Sequence, residues 1–345
     1  MARSAEITTV TRRPMRSRWR ALRWLVDLSA AAGIAVSGFA IILFSTDVQR
    51  DRAVALASFT PLLLITAFIA LVIAIAGKRW VLATIAALVS VAGAAVIGPL
   101  FVASGASGAG AHSCAINLRV MQANLLFGTA DLDALVQTAK ERDADILTVQ
   151  ELTEEAGAGL ERAGIDELLP YQLLRPSPGG GGAAIYSRLP LENGRSLDGF
   201  LPTNLTAEIE IGSRQPLVLY AVHPVPPFPR AARWHAEYET LAAELEAATA
   251  HEFVLVSGDF NATYFHKKYR DLLALGYEDA AASLGAGLMS TYPADKWYPA
   301  LVGIDRIVTK GATATSLSRV KIPGSDHHGL VADVCVPPRA HADSG

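Results

Sequence analysis

Three long apolar stretches near the start of the chain constrain its fold more than any other feature. They cover residues 25–44, 53–76 and 81–103, and each can cross a bilayer as a helix, which takes about 20 residues. A bilayer offers no partners to unpaired backbone groups, so such stretches cross as helices. Three in succession, joined by short polar links, favour a membrane anchor over buried core helices. The first is the weakest of the three because it carries Asp27 near its predicted headgroup end.

The charges of the links predict the orientation of this anchor. Residues 1–24 contain seven arginines and one acid, which places them in the cytoplasm by the positive-inside rule. The link 46–52 balances two arginines against two aspartates and suits the outer side, whereas Lys78 and Arg79 return the chain to the cytoplasm. We therefore expect a multi-pass protein of the cell membrane, in which everything after residue 105 is extracytoplasmic.

The charge of the remaining chain bears on its partners. Residues 106–345 contain 19 Lys and Arg against 29 Asp and Glu, a net charge of −10. Proteins that bind DNA or RNA usually present a basic face, since neutralising phosphates supplies much of the affinity. A local basic groove is compatible with this net charge, but the excess of acids argues against a nucleic-acid partner.

The two cysteines lie near the two ends of the globular region. Cys114 precedes its first predicted strand and Cys335 lies in its last. In an oxidising compartment such a pair favours one disulfide that closes the domain. Two buried free thiols are the alternative.

Strand and helix patterns alternate after the linker and predict an α/β sandwich. The pattern divides the chain into a basic N-terminus (1–24), a three-helix transmembrane anchor (25–105), a linker (106–115), a globular domain (116–337) and a tail (338–345). Within the domain, the spacing of apolar residues predicts helices over 131–142 and 231–250. It also predicts strands over 117–122, 146–149, 183–187, 205–211, 216–222, 253–257, 304–308 and 330–336, with 205–211 and 216–222 forming a hairpin. The mixed spacing of the strands argues against a regular doubly wound sheet.

Polar side chains stand at the ends of these strands. The set consists of Asn124, Glu151, His223, Asp259, Asn261, Asp305, Asp326 and His327. Because strand ends meet at the rim of a sheet, residues far apart in sequence can share one cleft there. No single motif is specific, since a lone Asp-x-Asn is more often a turn or a helix cap. The prediction of a site depends on the whole set.

The residue types favour metal-assisted phosphate chemistry. Asn124, Glu151 and Asp326 offer hard oxygen atoms, which suit Mg²⁺ and also Mn²⁺. Such an ion polarises a phosphoryl oxygen and offsets charge on the leaving oxygen. These three residues are the predicted metal site.

The other five residues are the predicted catalytic group. His223 and His327 can donate hydrogen bonds to phosphate oxygens, and Asp305 can orient His327 and raise its basicity. Asp259 is placed to hold or deprotonate the attacking water, with Asn261 orienting the phosphate.

Seven sequence blocks in a fixed order resemble the endonuclease/exonuclease/phosphatase superfamily. The blocks are MQAN (121–124), DILTVQE (145–151), GAAIYSR (182–188), VHP (222–224), SGDFNA (257–262), IDRI (304–307) and GSDHH (324–328). This resemblance implies the four-layered α/β sandwich of DNase I-like nucleases, here preceded by three transmembrane helices. It implies that Glu151 is the principal metal ligand, with Asn124 and Asp326 beside the metal. It leaves open whether His327 or Asp259 is the general base, and His328 is expected at a structural or rim position.

The layout also resembles the membrane-anchored teicoplanin-resistance (VanJ-like) proteins. This resemblance implies a phosphate of the cell envelope as substrate, such as undecaprenyl pyrophosphate, and a link to glycopeptide resistance. The leading hypothesis is therefore Mg²⁺-dependent hydrolysis of a lipid-linked phosphate or pyrophosphate. An extracellular nuclease and a non-catalytic protein that binds an envelope lipid or an antibiotic are the alternatives.

Overall fold

The computed structural model describes residues 15–104, 114–212 and 215–338. Most of the predicted cytoplasmic N-terminus, most of the linker and nearly all of the tail lie outside the described residues. The described chain forms two compact units. A helical unit comprises the chain up to Ile41 and from Pro61 to Ala95, and a sandwich unit comprises Ile42–Thr60 and the chain from Val96 onward.

The apolar N-terminal region contains four described helices. They are α1 (Met15–Ser45), α2 (Asp51–Ala57), α3 (Thr60–Ala76) and α4 (Trp80–Ile97). Two stretches, Trp19–Ser45 and Trp80–Phe101, are long and apolar enough to cross a membrane. The predicted continuous helix over 53–76 is wrong, because the chain bends between α2 and α3.

The break between α2 and α3 has a local cause. Pro61 has no N–H to donate to the carbonyl of Ala57, four residues earlier. The hydroxyl of Thr60 donates to that carbonyl instead, at 2.8 Å. The carbonyl is therefore satisfied without helical continuity, and α2 joins the sandwich unit while α3 begins the next segment of the helical unit.

Small residues and short polar contacts hold the helical unit together. Its buried centre is formed by alanines, among them Ala30, Ala70 and Ala86, which allow close approach of helices in the way typical of membrane proteins. The hydroxyls of Ser37 and Thr66 lie 2.9 Å apart. Asp27 and Arg79 form an ion pair, so the part of α1 around Asp27 lies beside the turn that follows α3.

The sandwich unit contains twelve described strands and, with α2, seven described α-helices. The strands are β1 (Ile116–Asn124), β2 (Ile146–Gln150), β3 (Tyr171–Arg175), β4 (Ala183–Ser187), β5 (Leu191–Ser196), β6 (Leu205–Ile209), β7 (Leu217–Val222), β8 (Phe253–Asp259), β9 (Glu278–Asp279), β10 (Asp305–Lys310), β11 (Thr313–Lys321) and β12 (His328–Val336). After α2, the helices are α5 (Leu132–Glu141), α6 (Glu154–Arg162), α7 (Ile165–Leu168), α8 (Ala231–Ala248), α9 (Lys267–Leu273) and α10 (Ala280–Ser283), with 3₁₀ turns at Gly98–Phe101 and Pro178–Gly180.

The strands form two six-stranded sheets that pack face to face. The first has the order β11-β12-β1-β2-β4-β3, and the second has the order β5-β6-β7-β8-β10-β9. One apolar core contains residues of both sheets, such as Val120 and Ile146 from the first and Leu219 and Leu255 from the second. A mixed sheet on each side of a shared core matches the predicted sandwich.

Helices cover the outer faces of both sheets and complete four layers. Leu135 of α5 and Leu160 of α6 pack with Leu147 on the first sheet, and Trp234 of α8 packs with Val254 on the second. Helix α5 begins where Asp131 accepts a hydrogen bond from Ala134 N, as expected for an N-cap. The prediction of a four-layered α/β sandwich is confirmed, whereas three spanning helices are not established.

The predicted strands and the hairpin formed by β6 and β7 are present. Prediction missed β3, β5, β9 and β11. All four are edge strands. The side chains of β3 and β5 are exposed or half-buried, so their sequences lack a clear apolar alternation.

Cys114 and Cys335 form a disulfide. The bond joins the segment before β1 to β12, which pairs with β1 along its length. The two ends of the sandwich domain are therefore covalently linked, and the alternative of free thiols is wrong.

Candidate active site

The ends of parallel strands bring the predicted residues together from both sheets. In the first sheet β1 pairs with β2 so that Asn124 lies opposite Gln150, which places Asn124 beside Glu151. In the second sheet β7 pairs with β8 so that Val222 lies opposite Gly258, which places His223 beside Asp259.

Two further features of the second sheet tighten this convergence. Asp305 lies directly opposite Asp259 in the antiparallel pair of β10 and β8. Gly258 has φ +155°, and a Cβ there would lie 2.0 Å from the carbonyl oxygen of Val222. Only glycine fits this approach, so β7 and β8 can bring His223 and Asp259 into one cluster.

Glu151 lies at the centre of the first-sheet group. Its Oε1 accepts a hydrogen bond from Asn124 Nδ2 at 3.0 Å, and its Oε2 accepts the N–H of Phe127 at 2.7 Å. Glu151 has φ +59°, a backbone state that is uncommon outside glycine and concentrated at functional sites. These contacts fix the direction in which the carboxylate points.

Asn124 links the carboxylates of the two sheets. Its Nδ2 donates to Glu151 and also to Asp259 Oδ2 at 3.1 Å, while its Oδ1 accepts the N–H of Leu126. Asn124 therefore lies beside Glu151, the principal predicted metal ligand. The N–H groups of its side-chain amide orient the carboxylates of Glu151 and Asp259.

Asp305 and His327 form the predicted dyad. His327 Nδ1 lies 2.9 Å from Asp305 Oδ2, and its Nε2 faces Asp259 Oδ2 at 3.8 Å and Asp326 Oδ1 at 3.9 Å. The other oxygen of Asp305 accepts a hydrogen bond from Gln122 Nε2 at 2.8 Å. Asp305 therefore fixes the ring orientation of His327, and Nε2 is directed at the acidic cluster.

Electrostatics place a proton on His327. Burial lowers its pKa, but the charge of Asp305 and the hydrogen bond to it, together with Asp259 and Asp326, outweigh burial and raise the pKa to about 10. A protonated His327 presents Nε2–H as a hydrogen-bond donor.

Burial acts in the opposite sense on the acids. It raises the pKa of Glu151, although the hydrogen bonds from Asn124 and Phe127 counteract it. Burial also raises the pKa of Asp259, to about 7, and raises that of Asp326. Carboxylates with raised pKa values in a shared cleft are a signature of functional sites.

His223 occupies the opposite side of the cluster. Its Nε2 lies 3.7 Å from Asp259 Oδ2 and 4.0 Å from Glu151 Oε1. Burial and the neighbouring charge of His327 lower the pKa of His223 to about 4, so its ring is neutral near pH 7. Asn204 holds the backbone of His223, since its Oδ1 accepts the His223 N–H at 2.7 Å and its Nδ2 donates to the carbonyl.

Asn261 follows Asp259 in the αL backbone region, with φ +47°. Its N–H donates to Asp259 Oδ1 at 2.8 Å, and its Nδ2 donates to the carbonyl of Pro224. Trp234 Nε1 donates to the Asn261 carbonyl. Asn261 therefore stands in the cleft with its backbone held from α8, as a residue that orients a ligand requires.

The donor set fits a hard divalent cation. Glu151, Asp259, Asp305 and Asp326 lie in one cluster, and His327 is the protonated group among them. Carboxylate oxygens are the ligands preferred by Mg²⁺ and similar ions, and a cation offsets the burial and charge repulsion that raise the pKa values of Glu151, Asp259 and Asp326.

Two candidate ligand groups can be separated by their contacts. Asp259, Asp305 and His327 offer atoms within 4.8 Å of one another, but His327 Nδ1 and Asp305 are already joined by a hydrogen bond. Glu151 and Asp326 have oxygens that face the cleft, and they lie close enough for the charge of Asp326 to raise the pKa of Glu151. The second group is therefore the better candidate for holding a cation.

The site opens into a cleft of about 770 Å³, formed by residues of the sandwich unit alone. Tyr292 lines it and packs near His327, with ring centroids 5.0 Å apart. Trp297 is 95% exposed and packs against Tyr298, outside the set that lines the cleft. His328 is half-buried at the start of β12.

Sequence reasoning missed the residues that support the site. Gln122 donates to Gln150 as well as to Asp305, and the Ser325 hydroxyl donates to the Asn124 carbonyl while accepting the N–H of His327. Gln122, Gln150 and Ser325 lie inside the seven sequence blocks. The signal that could have identified them is a polar side chain at a buried position. Asn204 lies outside the blocks, and its sequence context is formally a glycosylation sequon. Only the structure shows that it is buried and holds the backbone of His223.

Solved structures share this fold at low sequence identity. They include TDP2 from D. rerio in complex with a single-strand DNA product, with 17% identity, 63% of this chain and 98% of that chain covered, and a TM-score of 0.52. An AP endonuclease from Archaeoglobus fulgidus has 18% identity, 62% and 98% coverage, and a TM-score of 0.52. An endonuclease/exonuclease/phosphatase from Beutenbergia cavernae DSM 12333 has 16% identity, 66% and 73% coverage, and a TM-score of 0.51. No curated protein matches the chain in sequence.

Two packed sheets with an acidic, histidine-containing rim give the chain a DNase I-like α/β fold. The model of the Endonuclease/Exonuclease/phosphatase family matches residues 121–327, which include all eight predicted site residues, and the chain belongs to this family. Its members are metal-dependent hydrolases of phosphoesters.

Proposed function

We propose that this protein is a membrane-anchored hydrolase that uses a divalent cation, Mg²⁺ or Mn²⁺, to cleave a lipid-linked phosphate or pyrophosphate outside the cytoplasmic membrane. The observation that carries the chemistry is the acidic cluster around Glu151, with the Asp305–His327 dyad beside it. The observation that carries the substrate class is the position of residues 42–60. They belong to the sandwich unit, yet the chain joins them at both ends to apolar helices.

The side chains divide the work of hydrolysis between them. A cation held by Glu151 and Asp326 would polarise a phosphoryl oxygen and stabilise the leaving oxygen. The Nε2–H of His327 donates a hydrogen bond to a phosphate oxygen, while Asp305 holds its ring. Asp259, whose pKa is near neutrality, accepts the proton of the attacking water. Neutral His223 is placed to donate a second hydrogen bond to the phosphate.

Three features support the membrane topology. We propose that α1, α3 and α4 each span the membrane, because α3 alone has 17 residues, nearly all apolar, within the range that crosses a bilayer. The ion pair of Asp27 with Arg79 agrees with a position of both residues on the cytoplasmic side. The disulfide agrees with an oxidising compartment for the sandwich domain.

Nucleic acid is the competing substrate. TDP2 from D. rerio is solved with a single-strand DNA product and the Archaeoglobus fulgidus neighbour is an AP endonuclease, but identities of 17% and 18% are too low to carry a substrate across. Residues 106–345 carry a net charge of −10, and Arg230 is the only lysine or arginine among the described residues that line the cleft. A polynucleotide would require several cationic contacts along its backbone.

The test is phosphate release from undecaprenyl pyrophosphate by the purified full-length protein. Mg²⁺ should support release and EDTA should abolish it. Glu151→Gln should lower kcat/KM about 1,000-fold or more, since it removes the charge that binds the cation. Glu155→Gln, an exposed glutamate at the start of α6, is the matched control and should retain wild-type activity.

The outcomes separate the alternatives. Plasmid nicking that is faster than lipid phosphate release would favour a nuclease. Binding of lipid or antibiotic without any hydrolysis would favour a non-catalytic envelope protein. A wild-type level of release from Glu151→Gln would refute the assignment of the site. The layout also leads us to expect that expression raises glycopeptide resistance, and that Glu151→Gln removes the increase.

A further inference from the structure

The cleft is larger and more apolar than a phosphate requires. Its 770 Å³ fall within the range that holds a drug-sized organic ligand. The acids and histidines occupy one part of it. The rest is lined by side chains such as Phe59, Leu126, Val225 and Ile304, which offer no partners to a charged group.

Large apolar side chains around this cleft are exposed. Phe127 is 57% exposed, Leu201 is 60% exposed and Phe228 is 54% exposed, and all three line the cleft from separate loops. An apolar surface that remains in contact with water at a concave site is typical of a ligand-binding groove. These three residues form the apolar rim.

The segment between α1 and α3, which contains α2, supplies one wall of the cleft. Ala55, Ser58 and Phe59 line it, although they are distant in sequence from the catalytic blocks. By chain connectivity this wall is continuous with α1 on one side and α3 on the other.

Buried polar contacts fix the wall to the sandwich domain. The Nε2 of His266 lies 3.0 Å from the carbonyl oxygen of Val54, and both residues are buried. Asp51 Oδ1 accepts the N–H of Ala231 at 2.9 Å, at the first residue of α8, next to the loop that carries Phe228. The wall and the apolar rim are therefore held in a defined relation to the catalytic cluster.

Charge selects among the ligands that could fill the apolar part. Arg230 is the one lysine or arginine among the described cleft residues, so repeated phosphates would lack counter-charges. A ligand with a single phosphate or pyrophosphate group and a hydrocarbon chain matches the two parts of the cleft.

We propose that the wall of residues 55–59 and the apolar rim form a subsite for the hydrocarbon chain of the substrate, next to the phosphate site. The proposal rests on the function proposed above. The phosphate end binds at Glu151, Asp326 and His327, and the first part of the chain lies against Phe59 and Phe228. The enzyme then discriminates lipid phosphates from soluble phosphates through the burial of methylene groups.

Binding of alkylphosphonates of increasing length tests the subsite independently of turnover. Butyl-, octyl- and dodecylphosphonate are titrated below their micelle concentrations into full-length protein in an amphipathic polymer with Mg²⁺, and heat is measured. Affinity should rise roughly twofold for each added methylene, since each buried methylene is partly removed from water. Octanol, which lacks the phosphonate, should bind far more weakly than octylphosphonate.

Variants identify the surface that recognises the chain. Phe59→Ser and Phe228→Ser should each weaken octylphosphonate binding about fivefold and leave butylphosphonate binding almost unchanged. Phe228 is exposed, so its replacement does not depend on core packing. Tyr171→Ser is the matched control, because Tyr171 is an exposed aromatic at the far end of β3 from the site, and it should bind all three ligands as wild type does.

The results distinguish the subsite from the function. Equal chain-length dependence in wild type, Phe59→Ser and Phe228→Ser would overturn the subsite, as would affinity that does not depend on chain length. If lipid pyrophosphate is hydrolysed while either result holds, the proposed function stands and the subsite falls. If chain length matters in the predicted way but only DNA is hydrolysed, the apolar subsite stands and the proposed function falls.

Discussion

His266 is expected to make the sandwich domain sensitive to acid. Its ring is buried, with Nδ1 accepting the N–H of Thr263 at 2.9 Å and Nε2 lying 3.0 Å from the carbonyl oxygen of Val54. Nε2–H is therefore the donor, and the neutral ring satisfies both contacts. A second proton on Nδ1 would break the contact with Thr263. Burial lowers the pKa of His266 to about 4, compared with about 6.5 in an unfolded chain.

The sign and size of the effect follow from proton linkage. Between pH 4 and pH 6.5 the unfolded chain binds this proton and the folded chain does not, so acid favours unfolding. The stabilisation is complete above about pH 6.5 and is lost as the pH falls toward 4. For one such group, a change from about pH 7.5 to about pH 5 lowers the free energy of unfolding by about 2 kcal/mol. In a domain of this size that corresponds to roughly 4–8 °C in Tm.

Scanning calorimetry of the full-length protein at the two pH values measures this loss of stability as a change in Tm. His266→Gln keeps an amide donor for Val54 and has no proton to gain, so its Tm should fall roughly 4–8 °C less than that of wild type on acidification. His223 also has a lowered pKa, but it contributes equally to both proteins and cancels in the comparison. His251→Gln is the matched control, since His251 is only half-buried, and it should follow wild type. Equal losses of Tm in wild type and His266→Gln would refute the reasoning.

Two further substitutions test the dyad and the disulfide. Asp305→Asn should lower kcat about a hundredfold or more while KM changes little, because His327 loses the charge that orients it and keeps it protonated. Steady-state kinetics measure both constants. A change confined to KM would contradict the role assigned to Asp305. Cys114→Ser with Cys335→Ser should lower the free energy of unfolding by about 5 kcal/mol, since the bond closes a loop of 221 residues. Calorimetry measures the loss, and a reducing agent should lower the Tm of wild type but not of the double variant.

The α/β sandwich could be predicted from the sequence, and so could the polar residues at the strand ends that the structure brings together. Continuous apolar runs marked the buried strands such as β2 and β8, because strands that are covered on both faces are apolar over most of their length. Polar residues at the ends of those strands, such as Glu151 and Asp259, then stood out against their neighbours. Seven ordered blocks specified the family, since their joint occurrence is far less frequent than that of any one block.

The edge strands were not determined in this way. β5 and β3 have few buried side chains, and their positions depend on pairing with neighbours rather than on their own pattern. The continuous second span was also beyond sequence reasoning. Residues 53–76 are apolar throughout, and only the tertiary structure shows that Val54 packs into the core beside α8 while α3 lies in the helical unit.

Tertiary structure alone decided the relations within the site. Which oxygen of Asp305 holds His327, how Asn124 bridges Glu151 and Asp259, and how Asn204 holds the backbone of His223 all depend on contacts between residues far apart in the chain. The apolar wall formed by residues 55–59 arises in the same way, since an apolar pattern reports burial but not the surface against which it is buried. Local sequence fixes what each residue can do chemically, and the packing of the two sheets decides which residues act together.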